Sequence, residues 1–117
     1  MASIHDLVVT LRQRQGVTAA ILLGRDGLVI DGQAANGVDI EQVAALVPPI
    51  LQAADDFGAG AGRGALHTAV LELPGGLGVI SPLSPDGVLL VLADAGAPIG
   101  PLLYELRRHR EQMASLV

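Results

Sequence analysis

The segment ALHTAVLELPGGLGVISPLSPDGVLLVLA, which spans residues 65–93, contains three apolar runs separated by two turn sequences. The runs cover residues 65–73, 77–83 and 88–93, and the tripeptides PGG and PDG lie between them. Proline and glycine at these positions favour tight turns, and short apolar runs bounded by such turns are typical of β-strands. The segment therefore predicts a three-stranded antiparallel meander.

The N-terminal part of the chain predicts a helix followed by a β-hairpin. Apolar residues recur at the i, i+3, i+4, i+7 spacing of one helix face over residues 3–15, and Ser3 is a suitable N-cap. Residues 17–23 form a short apolar run, as in a strand that is buried on both faces. The turn sequence Arg25-Asp26-Gly27 then leads into a second strand that starts with residues 28–31.

Residues 39–57 predict a second helix, with Asp39 as its N-cap. Its apolar residues fill roughly half of the helical wheel, which is wider than the ~100° stripe that a helix needs to cover one sheet. The excess predicts a second buried contact. Pro48 and Pro49 fall in the middle of this segment, where a proline removes a backbone donor and clashes with the preceding turn. We therefore expect a kink or a restart there.

The remaining segments are a flexible glycine-rich loop over residues 58–64 and a last helix over residues 99–116, which has leucines along one side. The predicted order of elements is αββαβββα. It indicates one α/β domain of the α+β type over residues 1–117, with a five-stranded antiparallel sheet between helices. We find no linker or internal repeat that would indicate a further module.

Composition restricts the classes of partner. The 117 residues are 50% hydrophobic and carry a formal charge of −5, with seven arginines, no lysine and no cysteine. An acidic chain with two aromatic residues is a poor ligand for a phosphate backbone, so nucleic acid is not expected as a partner. The absence of cysteine is typical of a reducing compartment, and no apolar stretch is long enough to span a membrane. We expect a cytoplasmic protein without membrane insertion.

The glycine-rich loop contains the sequence GAGRGA at residues 60–65, which matches the dinucleotide-binding pattern G-x-G-x-x-A. That pattern binds phosphate only between a strand and a following helix, whereas here a helix precedes it and a strand follows. We therefore expect a mobile loop and no cofactor.

Other reactive residues do not form a recognisable site. The three histidines, at positions 5, 67 and 109, lack metal-ligand spacing, and Ser81 and Ser84 lack the turn of an activated nucleophile. Asp55 and Asp56 are expected to be solvated acids, and the arginines at positions 107, 108 and 110 to be exposed near a helix end. The sequence predicts no catalytic residue, no metal site and no enzymatic activity.

The element order, the Gly16-Val17 entry into the first strand, the turn at residues 25–29 and the run at residues 89–92 resemble the Roadblock/dynein light chain family. Within that family the chain resembles the bacterial MglB-type members in particular, and the family fold is profilin-like. The resemblance implies a homodimer in which the third strands pair across a two-fold axis and the second helices lie side by side. The sequence agrees, since residues 65–73 would otherwise form a long apolar sheet edge. The resemblance carries no catalytic residues.

The resemblance also implies a Ras-like small GTPase as partner, docked on the two second helices and regulated without an inserted arginine. Arg63 is a weak candidate for reaching a nucleotide. Dimer contacts are expected from six residues: Leu46, Ile50, Phe57, Leu66, Thr68 and Val70. GTPase contacts are expected from six others: Glu41, Gln42, Ala45, Pro49, Gln52 and Asp56. Two alternatives stay open: a dimeric adaptor without a GTPase, and a small-ligand sensor.

Overall fold

A computed structural model describes residues 3–35 and 37–117. The predicted order of elements is confirmed, although the second and the last helix are each divided into two segments. The elements are α1 (Ile4–Arg12), β1 (Val17–Leu23), β2 (Val29–Ala34), α2 (Ile40–Ala45), α3 (Val47–Gly60), β3 (Ala69–Leu73), β4 (Gly76–Ser84), β5 (Gly87–Ala93), α4 (Ile99–Arg108) and α5 (Arg110–Ala114).

The five strands form one antiparallel sheet in the order β2-β1-β5-β4-β3. The predicted hairpin and the predicted meander are both confirmed. The two are joined by pairing of β1 with β5, in which Ile21 lies opposite Leu90. This long-range pairing places β3 and β2 at the two edges of the sheet.

Helices cover both faces of the sheet, which confirms the predicted fold class. On one face, Val79 and Val91 belong to a buried cluster with residues of α1, α4 and α5, such as Leu7. On the other face, Ile80 and Leu90 belong to a second cluster with residues of α2 and α3. Neighbouring strand residues enter different clusters because successive side chains point to opposite faces of a sheet.

Helix α1 begins as predicted and ends earlier than predicted. The Ser3 hydroxyl accepts a hydrogen bond from the Asp6 amide at 3.1 Å, which caps the first turn. The helix stops at Arg12, three residues before the expected end, and Gly16 then adopts a φ of 80°. A Cβ atom at Gly16 would lie 2.6 Å from the Cβ of Ala97. Glycine is therefore required where this loop passes the connection between β5 and α4.

The prolines interrupt the predicted second helix. Helix α2 ends at Ala45, and α3 starts at Val47 with proline in its first turn, where the missing amide proton costs no helical hydrogen bond. The predicted restart is confirmed. The β1–β2 turn packs against this junction, since a Cβ atom at Gly27 would lie 3.1 Å from Cγ of Pro48.

Other predicted boundaries are wrong. Helix α3 continues to Gly60 and β3 begins at Ala69 instead of residue 65, so the connection covers residues 61–68 instead of residues 58–64. Residues 65–68 instead follow the end of α3, where the Leu66 amide donates to Oδ1 of Asp55 at 2.8 Å. The last helix is interrupted at His109. Within the described residues, no helix is both long enough and apolar enough to cross a membrane.

Candidate protein-binding surface

Helices α2 and α3 present an exposed, acidic face. All six residues predicted to contact a GTPase are solvent-exposed: Glu41, Gln42, Ala45, Pro49, Gln52 and Asp56. Within this face, Nε2 of Gln52 donates to Oδ1 of Asp56 at 2.9 Å, one helical turn away. Residues 40–60 contain three acidic residues and no basic residue. The face is therefore suited to a protein with basic groups on its surface.

An apolar groove of about 460 Å³ lies between the α2–α3 junction and the β3 edge. Leu46 and Ile50, two of the predicted dimer residues, line the helix side of it. Leu71 and Leu73 line the strand side. Leu46 and Leu73 are 61% and 60% exposed, so this groove leaves large apolar side chains in water. Such exposure at a groove is typical of a protein interface.

Strand β3 is an open edge. Among the residues that the structure describes, it has a strand neighbour on one side only, which is β4. Leu71, opposite Gly78, lies on the face of the sheet that α2 and α3 cover. Val70, opposite Val79, lies on the other face. Val70 was among the predicted dimer residues, whereas Leu71 and Leu73, which line the groove, were not. The alternation of side chains along a strand could have identified both leucines.

Three other predicted dimer residues have different surroundings. Leu66 is half-buried and packs against the chain's own apolar cluster beneath α2 and α3. Thr68 is half-buried and lies directly before β3. Phe57, on α3, is 77% exposed and does not line the groove. Phe57 is thus available to a partner, whereas part of Leu66 is occupied within the subunit.

The acidic pair at the end of α3 has divided roles. Asp55 lies 3.6 Å from the guanidinium of Arg25 and also accepts the Leu66 amide, so it fastens the β1–β2 turn and the loop before β3 to α3. Asp56 is exposed and bonds only to Gln52 among the described residues. Asp55 therefore has a structural role here.

His5 and His109 each lie near a different carboxylate. His5 lies 2.9 Å from Asp31, and His109 lies 3.5 Å from Glu105. In the described ranges, no group of three histidine, aspartate or glutamate residues is arranged to hold a metal ion.

Arg110 was predicted to be exposed, but the structure shows it half-buried. Its half-buried guanidinium donates to the carbonyl oxygen of Pro82, to the Ser81 hydroxyl at 3.1 Å and to the carbonyl oxygen of His67 at 3.3 Å. Ser81 is itself buried. Arg107 and Arg108 are exposed, as predicted. The sequence did not show this difference because the acceptors are remote along the chain.

An open edge at β3, next to an apolar groove and an exposed helix pair on a covered antiparallel sheet, is typical of a domain that contacts other proteins. The family model of the Roadblock/LC7 domain matches residues 4–93, and this chain belongs to that family. The predicted resemblance is thereby confirmed.

Two uncharacterized proteins of Methanocaldococcus jannaschii are 28% and 27% identical to the chain, and each alignment covers 97% of this chain and 98% of the relative. A Roadblock/LC7 domain from Streptomyces avermitilis is 26% identical and superposes with a TM-score of 0.83, over 95% of this chain and 94% of that one. The gliding protein MglB of Thermus thermophilus is 18% identical with a TM-score of 0.83, over 96% and 86% of the two chains. The MglB structure shows the shared fold.

Proposed function

We propose that this chain is a homodimeric, non-enzymatic regulator that binds a Ras-like small GTPase in the cytoplasm and modulates its nucleotide state. The observation that carries the proposal is that two different surfaces lie next to each other on α2 and α3. One is the apolar groove beside the open strand β3, and the other is the exposed acidic face. Membership of the Roadblock/LC7 family supports this class of partner.

The first surface suits a second copy of the chain. Antiparallel pairing of two β3 strands would satisfy the free backbone groups of this edge and extend the sheet to ten strands, twice the five of one subunit. The same two-fold axis would bring Leu71 and Leu73 of each copy to the groove of the other. An interface of this kind is isologous, which is the commonest arrangement of dimers. A related MglB structure has a tetrameric arrangement.

The second surface suits the GTPase. In the dimer, two copies of the acidic face would lie on the same side of the extended sheet. Because residues 40–60 contain no arginine, this face has no side chain that could act as an arginine finger. Any stimulation of hydrolysis would then come from repositioning side chains of the GTPase itself. Those side chains would stabilise the charge on the phosphoryl group that is transferred.

Light scattering tests both parts of the proposal. The mass of the chain is measured alone and with the small GTPase encoded nearest to it, loaded with GTP or GDP analogues. A mass of twice 11.9 kDa for the chain alone, and a complex that forms preferentially with the GTP analogue, would support the proposal. A dimer that ignores both nucleotide forms would favour an adaptor without a GTPase. A stable monomer would contradict the use of β3 as an interface.

A further inference from the structure

Three of the seven arginines line one cavity of about 570 Å³ at the end of the sheet. Arg25 comes from the β1–β2 turn, Arg63 from the loop after α3, and Arg110 from α5. No aspartate or glutamate is among the described residues that line it. In a chain whose net charge is −5, this is a local concentration of positive charge.

The guanidinium of Arg110 has neutral partners only. Within the described residues its three hydrogen bonds go to two carbonyl oxygens and one hydroxyl. A guanidinium has five N–H donors, so two remain for another acceptor. The described partners of this half-buried cation carry no charge. An anion nearby would stabilise it, because charge–charge attraction is stronger where water is partly excluded.

The position of Arg110 follows from the strand boundary. Since β3 starts at Ala69, opposite Ile80, the final part of β4 has no strand neighbour on that side. Arg110 bonds to the carbonyl oxygen of Pro82 in this gap and also to that of His67, which precedes β3. The guanidinium is thus held in a fixed place at the cavity wall.

The backbone of the loop fixes the start of the Arg63 side chain. The carbonyl oxygen of Gly58 accepts the amide protons of Arg63 at 2.8 Å and of Gly64 at 3.2 Å. A Cβ atom at Gly58 would lie 1.9 Å from the carbonyl oxygen of Gly64, so the loop folds tightly over the helix end. Arg63 is exposed and lines the cavity, with no side-chain hydrogen bond or ion pair to another described residue.

One carboxylate opposes the three arginines. Asp55 lies 3.6 Å from Arg25 and shares its Oδ1 with the Leu66 amide, so it neutralises one guanidinium in part. Neither Arg63 nor Arg110 forms an ion pair with a described carboxylate. Both guanidinium-bearing residues line the same concave site, and arginine is well suited to hold phosphate and similar oxyanions there.

We propose that this arginine cavity binds a small phosphate-class oxyanion, either inorganic phosphate or a small phosphate monoester. Its volume lies in the range of about 300–1,000 Å³ that is typical of small-ligand sites, which leaves room for the organic part of a monoester. Arg63 and Arg110 would hold the phosphate oxygens, and Arg25 would supply a weaker attraction. The site is separate from the acidic face of α2 and α3, so it goes beyond the proposed GTPase contact.

The test is a titration of the ¹⁵N-labelled chain with inorganic phosphate and, separately, with glycerol 3-phosphate, at constant ionic strength set by chloride. Saturable amide shifts confined to residues around the cavity, with half-saturation in the millimolar range or below, are expected for at least one probe. Tighter binding of the monoester would identify a phosphorylated metabolite as the ligand class, and equal binding would identify the free ion. No saturation with either probe up to ~10 mM would overturn the proposal.

Variants locate the site. Arg63→Ala should weaken binding roughly tenfold, as expected for the loss of one charge-assisted hydrogen bond, and Arg63→Lys should restore part of it. Arg107→Ala, at an exposed position of α4, is the matched control and should bind as the parent chain does. If Arg63→Ala and the parent bind equally, the anion is held elsewhere and the proposal is wrong. Binding of the GTPase is measured on the same variants, so the two proposals fail independently.

Discussion

The Nη1 atom of Arg110 lies 3.1 Å from the hydroxyl oxygen of Ser81, a buried polar side chain on β4. The same guanidinium donates to the carbonyl oxygens of Pro82 and His67. One residue of α5 thereby fastens the last helix, the end of β4 and the segment before β3 to one another.

Replacing this arginine should destabilise the fold. Arg110→Ala removes three hydrogen bonds and leaves the Ser81 hydroxyl and the Pro82 carbonyl oxygen without this donor, so we expect a loss of about 1–3 kcal/mol in the free energy of unfolding. Urea denaturation followed by circular dichroism measures it. Arg107→Ala, at an exposed position on α4, should change the same quantity by less than about 0.5 kcal/mol. Equal stability of the two variants would show that the contacts of Arg110 contribute nothing net.

The end of α3 provides a matched pair of glycines. A Cβ atom at Gly58 would lie 1.9 Å from the carbonyl oxygen of Gly64, whereas one at Gly60 has nothing within 4 Å. Gly58→Ala should therefore lower the melting temperature, because the loop after the helix must move. Gly60→Ala should leave it unchanged or raise stability by up to about 1 kcal/mol, since alanine favours the helix. Differential scanning calorimetry compares them, and a similar effect of both substitutions would contradict the steric argument.

The dimer should depend on the groove side of β3. Leu71→Asp places a charge on the apolar strand wall, so we expect the mass in light scattering to fall from that of a dimer to that of a monomer, 11.9 kDa. Leu28→Asp is the control, because Leu28 is 70% exposed and precedes β2 at the opposite edge of the sheet. That variant should stay dimeric. A dimeric Leu71→Asp with an intact circular dichroism spectrum would place the interface elsewhere.

Binding of the GTPase should depend on the acidic face. Glu41→Arg reverses a charge in the first turn of α2 and should weaken binding by roughly tenfold at low salt, and by less at high salt, because exposed charges are screened. Isothermal titration calorimetry with the GTP-analogue form measures this. The control is Glu111→Arg, an equally exposed glutamate in the first turn of α5, which should bind normally. Equal losses in both variants would indicate a general effect of net charge.

Stimulation of GTP hydrolysis, where it occurs, should not require Arg63. The Arg63 side chain lines the arginine cavity, while the six predicted GTPase contacts lie on α2 and α3. We expect Arg63→Ala to retain the stimulated single-turnover rate of phosphate release. A fall of 10³-fold or more, the size of an arginine-finger effect, would instead assign Arg63 a direct role in the reaction of the partner.

Local patterns account for most of the elements. The Ser3 cap, the paired prolines and the turn tripeptides each act within a few residues, and the structure confirms the element that each one predicts. Boundaries were less accurate where a tertiary contact competes with the local preference. Residues 65–68 have the composition of a strand, yet the Leu66 amide donates to Asp55 and the pairing with β4 begins only at Ala69.

For the candidate surface, the sequence pattern predicted the exposure of residues. Exposure of the six GTPase-contact residues agrees with the amphipathic pattern of the second helix, because helical periodicity assigns inner and outer positions directly. The groove leucines of β3 were not predicted as dimer contacts. The strand was expected to begin four residues early, and the residues assigned to the interface were those at the alternate positions 66, 68 and 70. No sequence pattern indicated the arginine cavity, because Arg25, Arg63 and Arg110 are far apart along the chain.

The sequence alone determined the types and order of the elements and the two hairpin turns of the meander. It did so because turn chemistry and the periods of 2 and 3.6 residues are local properties of a chain. Tertiary structure decided the pairing of Ile21 with Leu90, the face on which Leu71 lies, and the meeting of Arg63 with Arg110 at one cavity. These depend on register and on the packing of distant segments, which no short stretch of sequence specifies by itself.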